Sequence, residues 1–314
     1  MINLIEELKP VVVLEHQCQL GEGPVWDFEK GTIIWIDILK GEIHEHSPVE
    51  KWHRILPVYE MIGSVALCID GNFIAALQSG FAFINRSTGE IKKIADPEAH
   101  LPDNRFNEGK CDPAGRFFAG TMSLSKKKEQ GSFYMLKGDG SVEKKLENLS
   151  VPNGMAWTLD HRTFYQIDSP TSEVLSYDYD IKTGNFSNKK IIITIPKKDG
   201  IPDGMTIDSE GMLWIAHWSG WQISRWNPAT RQKLGFIPMP VANVTSCTFG
   251  GDELNDLYIT SAKAGLTENE LNEQPLAGAL FILKNVGCKG EKAFVFKAAS
   301  KTQSSFRLME KEIK

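Results

Sequence analysis

Three oxygen-bearing side chains stand in closely similar settings far apart in the chain. Glu22 lies in Gly21-Glu22-Gly23-Pro24, Asn153 in Pro152-Asn153-Gly154-Met155, and Asp203 in Pro202-Asp203-Gly204-Met205. Each motif alone reads as a plain tight turn, because proline before and glycine after an Asn or Asp is ordinary turn chemistry. Brought to one point, the three supply two carboxylates and one amide oxygen. Confined carboxylates repel unless protonated or neutralised, and a divalent cation is the usual neutraliser. An all-oxygen set selects a hard ion such as calcium, magnesium or manganese over a thiolate-loving one. Arg105-Phe106-Asn107-Glu108-Gly109 occupies the matching place in another repeat.

Such convergence needs a repeated scaffold, and the sequence contains one. An Asp or Gly-Asp turn followed by a β-rich run recurs six times. Asp27 leads to Ile33-Ile34-Trp35-Ile36, Asp70 to Phe73-Ile74-Ala75-Ala76-Leu77, and Asp112 to Phe117-Phe118-Ala119. Asp160 leads to Phe164-Tyr165-Gln166-Ile167, Asp208 to Leu213-Trp214-Ile215-Ala216, and Asp252 to Leu257-Tyr258-Ile259-Thr260. The marker aspartates are 43, 42, 48, 48 and 44 residues apart. A period of about 45 residues is that of four-stranded propeller blades. The expected fold is therefore all-β: six four-stranded antiparallel blades around a central channel. It forms one domain over residues 1–300, followed by a tail, 301–314. Val11 to Leu14 is expected to pair with the last blade and close the ring. The loops before each innermost strand then converge on one mouth of the channel, which places Glu22, Asn153 and Asp203 together.

Composition removes several alternatives. The chain is 41% hydrophobic and 24% charged, which suits a folded globular protein rather than a disordered one. Its 40 acids outnumber 35 basic residues, and its longest basic run is Lys126-Lys127-Lys128, so no nucleic-acid footprint is expected. No apolar run approaches the ~20 residues of a membrane span, and Glu6, Glu7 and Lys9 interrupt any leader-like core. Five scattered cysteines without a C-x-x-C read as free thiols in a cytoplasmic protein.

The ordered motifs resemble the gluconolactonase, senescence-marker-protein (regucalcin) and luciferin-regenerating-enzyme family of six-bladed propellers. The likeness runs from about Cys18 to Leu283. It includes Leu20-Gly21-Glu22-Gly23-Pro24-Val25-Trp26, Arg105-Phe106-Asn107-Glu108-Gly109-Lys110, and Asp112-Pro113-Ala114-Gly115-Arg116. It continues through Phe118-Ala119-Gly120-Thr121-Met122, Pro152-Asn153-Gly154-Met155-Ala156-Trp157, Tyr177-Asp178-Tyr179-Asp180 and Pro202-Asp203-Gly204-Met205. Thr245-Ser246-Cys247-Thr248-Phe249-Gly250-Gly251 and Pro275-Leu276-Ala277-Gly278 complete it. The resemblance implies a metal-dependent hydrolase that opens sugar (aldono-) lactones to aldonic acids. It implies one divalent ion on Glu22, Asn153 and Asp203, calcium ahead of zinc, manganese or magnesium. It also implies Asp203 as the catalytic carboxylate, with Arg105 and Asn107 facing the substrate. Two departures stand out: the family's Asn-Asp-Gly reads Asn107-Glu108-Gly109, and Leu124 and Ser125 occupy the place where some members put a substrate-facing Glu.

Other constellations carry less. His44-Glu45-His46 has a spacing that binds metal on a strand, but it reads as a polar outer stretch with no third ligand in view. Asp178 and Asp180 mimic an EF-hand start, but position 12 is Lys189, so they read as a turn. His217 is a candidate substrate contact near the rim, and Cys111 reads as a packed strand residue. Two alternatives to the lactonase remain: a non-catalytic propeller binding calcium or partner proteins, and a phosphotriesterase or luciferin-regenerating activity on the same scaffold.

Overall fold

The computed structural model describes residues 8–299. The tail, 301–314, lies outside them. Six four-stranded antiparallel sheets surround a common axis as a six-bladed β-propeller. The innermost strands are Gly21–Asp27, Ile62–Leu67, Asn104–Cys111, Pro152–Trp157, Ile201–Ile207 and Val244–Gly250, and each packs against the innermost strands of its neighbours. The outermost strands of the first five blades, such as Trp52–Pro57 and Asn185–Thr194, are partly exposed. Among the described residues the only α-helix is Glu268–Glu273, started by a Thr267/Glu270 capping box.

The marker aspartates explain the period. Asp112 accepts the backbone N–H of Arg116 and that residue's Nε, and Asp208 accepts the N–H groups of Glu210 and Met212. Asp27 likewise takes the N–H groups of Glu29 and Lys30. Each carboxylate fixes the hairpin between the first and second strands of its blade, the local Asx-type chemistry that favours Asp at such turns.

Six apolar clusters make the core, one between each pair of adjacent blades. Blades one and two bury Ile34, Ile36, Ile62, Val65 and Phe73 together, and blades six and one bury Tyr258, Leu280, Trp26 and Trp35. Trp26 stacks on Tyr258 at 5.4 Å across that last seam. Arg86 crosses from blade two into blade one, where it donates to Asp27 at 2.6 Å and pairs with Glu45. The ring closes as the sequence implies: Val11–Leu14 pairs antiparallel with Leu280–Leu283, Val11 opposite Ile282 and Val12 opposite Phe281. At the far end, the segment after Leu283 runs under the blades. Its amides at Phe296, Lys297 and Ala299 bond to Leu67, Gly115 and Gly138.

Candidate functional site

The candidate ligands sit in bulges, not in turns. Glu22, Asn107, Asn153 and Asp203 all lie within innermost strands, where the pairing slips between Glu22 and Val25, Phe106 and Gly109, Pro152 and Met155, and Pro202 and Met205. A bulge places an extra residue in one strand and re-aims its side chain out of the ladder. The glycine after each polar residue answers a packing need. A Cβ on Gly154 would lie 2.7 Å from the Asp203 carbonyl oxygen, and one on Gly204 would lie 2.2 Å from Ser246 Oγ. Neither glycine has a positive φ, whereas Gly23 does, at +51°. The tight-turn reading of Pro-Asn-Gly and Pro-Asp-Gly is thereby corrected.

A buried polar network joins three of these strands. Asn107 Nδ2 donates to Asn153 Oδ1 at 2.7 Å and to the Pro152 carbonyl at 3.0 Å. Arg105 Nη1 donates to Asn107 Oδ1 at 2.8 Å and to the Phe106 carbonyl. Asn153 Nδ2 donates to Ser169 Oγ at 2.8 Å, and that hydroxyl donates to the Pro202 carbonyl at 2.6 Å. The amide orientation of Asn153 is thus set from both sides, leaving the second lone pair of Oδ1 for a further partner.

Electrostatics draws Glu22, Asp203 and Arg105 into the same cluster. Burial raises the Glu22 carboxyl to about 8, and the neighbouring Glu108 charge adds to this, while Gly23 N–H, Arg105 and Lys110 oppose it. Asp203 is held well above the usual carboxylate range by burial and then by Glu22 and Glu108, with Arg105 and the Asn153 side chain pulling it back. Burial brings the Arg105 guanidinium down to about 10, against the pull of Glu22 and Asp203, so it is a cation at neutral pH.

Two members of this cluster drew no role from the sequence. Glu108 is buried with both carboxylate oxygens lacking a hydrogen-bond partner, and burial lifts it to about 7. Lys110 lies 3.9 Å from it and donates to the main-chain oxygens of Met155 and Met205, tying three blades together at the axis. Glu108 was visible only as an acid one carbon longer than its family pattern. With all three carboxyls ionised, the site's two cations would leave one negative charge over, and its orphaned oxygens and all-oxygen donors fit a divalent cation.

Other candidates move. His217 is fully buried opposite Pro202, with Nε2 2.6 Å from Ser224 Oγ. His44, Glu45 and His46 are buried as well, because the neighbouring blade and the chain before Gly21 cover their strand; they are not a polar outer stretch. Asp178 and Asp180 are not a turn: both lie within the strand Glu173–Asp180, Asp178 opposite Thr163 and Ser187, and the hairpin begins only after Asp180. All five cysteines are free, and Cys111 is packed in an innermost strand.

A six-bladed propeller with a buried oxygen-donor cluster on its innermost strands defines the class of molecule. The chain belongs to the SMP-30/gluconolactonase/LRE-like family, whose sequence profile matches residues 20–263. It is 37% identical to regucalcin of Oryctolagus cuniculus over 291 residues, covering 91% of this chain and 97% of the relative. It is 38% identical over 271 residues to YvrE of Bacillus subtilis, described as a candidate sugar lactone lactonase, covering 86% and 93%. The crystal structure of a calcium-binding protein, regucalcin, from Agrobacterium tumefaciens superposes with a TM-score of 0.87 at 27% identity. It covers 92% of this chain and 97% of that one.

Proposed function

We propose that this protein is a metal-dependent lactonase that opens aldonolactones to their aldonic acids at the mouth of the channel. The observation that carries the reading is the buried set of Glu22, Asn153 and Asp203 beside Arg105 and Asn107, which a surface built only for partner proteins has no need of. The likeness to a relative named for sugar lactone hydrolysis supports it. Glu22, Asn153 and Asp203 are the ligands of this reading, calcium ahead of zinc, manganese or magnesium. When bound, such an ion supplies Lewis acidity toward the lactone carbonyl and lowers the pKa of water.

The chain's own groups do the rest. Water attack on a lactone frees a proton, and Asp203 accepts it. Arg105 and Asn107 hold the sugar hydroxyls or ring oxygen, fixing the carbonyl in one orientation. Arg105 Nη1 is already engaged with Phe106 and Asn107, which locks the guanidinium before substrate arrives. The five free thiols support a reducing compartment, the cytoplasm.

A panel of pentono- and hexono-lactones, with acid release followed by titration, tests the reading. Hydrolysis of at least one of them is expected, with phosphotriesters untouched. Inactivity on every sugar lactone, with calcium bound, would leave the calcium-binding reading that the regucalcin relatives favour.

A further inference from the structure

A second group of metal-binding side chains lies away from the axis, where the ring closes. Residues 15–20 link Val11–Leu14, which is hydrogen-bonded in blade six, to the first strand of blade one. His16 and Cys18 on this link face the third strand of blade one, Glu42–Ser47. One ligand atom each from His16, Cys18 and His44 lies within 4.8 Å of the others. Cys18 Sγ is 3.9 Å from His44 Nε2, and Glu42 Oε2 is 3.4 Å from the same nitrogen.

Two of the four donors are unsatisfied without a cation. His16 Nε2 and Glu42 Oε2 are both buried and lack a hydrogen-bond partner. Such orphans are costly unless something fills the space between them. The outer side of His44 is already arranged as a metal-binding histidine requires: Nδ1 lies 3.1 Å from His53 Nε2, so an N–H donated there leaves Nε2 free to ligate. Trp35 stacks on both rings, 5.0 Å from His44 and 5.4 Å from His53, fixing their planes. Burial keeps His44 neutral, down to about 3, so its lone pair is not lost to a proton.

We propose that His16, Cys18 and His44, with Glu42 as the fourth donor, form a tetrahedral site for a borderline-soft divalent ion of the zinc type, which clasps the ring-closing link to blade one. Two imidazoles, a thiolate and a carboxylate are a zinc-type set and differ in kind from the all-oxygen axial site. Tetrahedral zinc places N and S ligands about 3.5 Å apart, so the Cys18–His44 pair needs to close by a few tenths of an ångström. Binding displaces the Cys18 thiol proton to solvent, since burial and the Asp37 charge keep that thiol protonated, pushed up to about 12, in the metal-free protein.

Cobalt titration of the full chain tests this, because only a thiolate ligand gives a sulfur-to-cobalt absorption band and the axial site has none. Asp203→Asn is expected to develop the band with one equivalent of cobalt, the parent with no more than two because its axial site competes, and both should lose it to zinc. Cys18→Ser is expected to abolish it. His16→Ala removes a partly buried ligand on the ring-closing link, and should weaken binding beyond the roughly 10–100-fold that loss of an outer-sphere partner such as His53 costs. Zinc should raise the unfolding midpoint of the parent and not of Cys18→Ser. Absence of the band in the parent, or its survival in Cys18→Ser, would overturn the assignment.

Discussion

Metal binding at the axial site should release protons, and the number released should depend on pH in one direction. Without metal, Glu22 sits at about 8 through burial and then the Glu108 charge, and Asp203 lies well above the usual carboxylate range through burial and then the charges of Glu22 and Glu108. At pH 6.5 a carboxyl of pKa 8 is roughly 97% protonated, so an ion that needs the carboxylate must displace at least one proton. Apparent affinity then climbs up to about tenfold per pH unit for each proton displaced, or up to about a hundredfold between pH 6 and 8. Calorimetric titration of chelated protein with calcium, in two buffers of different ionisation enthalpy, counts these protons directly. One or more should appear at pH 6.5, and the count should fall as pH rises through 8, where Glu22 loses its proton without metal. The same raised values fix the sign for stability. The folded metal-free chain holds these protons more tightly than the unfolded chain, whose Glu22 titrates near 4.5. Its stability should therefore fall as pH rises from about 4.5 toward 8, and calcium should remove that loss. Proton-free, pH-independent binding at pH 6.5 would refute the placement of buried carboxylates in the metal site.

Further outcomes follow from the packing. Arg86→Ala leaves Asp27 and Glu45 with a buried partner removed, and chemical denaturation should show a loss of about 3–5 kcal/mol. Gly204→Ala forces a Cβ against Ser246 at 2.2–2.7 Å; the cost should be about 1–3 kcal/mol or more in denaturant titration, with calcium affinity weakened as the bulge shifts. Cys111→Ala should leave lactone turnover unchanged within about twofold, because Cys111 is a packed thiol whose burial holds it well above the range of a reactive nucleophile.

The blade count, the ring-closing strand and the placement of Glu22, Asn153 and Asp203 at the innermost strands were legible in the sequence, because each rests on a repeated local signal. Asp turns recur once per blade, and Glu22, Asn153 and Asp203 each stand in a Pro- and Gly-bearing motif. The bulges were not legible, since Pro-Asn-Gly reads the same in a hairpin turn and in a slipped innermost strand. Only the pairing of Pro152 with Asp168 and Met155 with Gln166 separates the two. Glu108 escaped a role because an acid in the middle of Asn-Glu-Gly gives no sign of which way it faces. The His44 cluster escaped because its partners, His16 and Cys18, lie in the link from another blade, and only ring closure brings them to that strand.

The central claim is that lactone hydrolysis depends on a cation held by Glu22, Asn153 and Asp203, with Asp203 taking the proton. Its most direct test is turnover of an aldonolactone by the chelated parent, by the same sample after calcium is restored, and by Asp203→Asn under both conditions. General-base catalysis is worth about 10²–10⁴-fold. Turnover should vanish on chelation, return with calcium, and stay at least about a hundredfold down in Asp203→Asn, which should remain folded. Full activity in the chelated parent, or parent-like activity in Asp203→Asn, would contradict it.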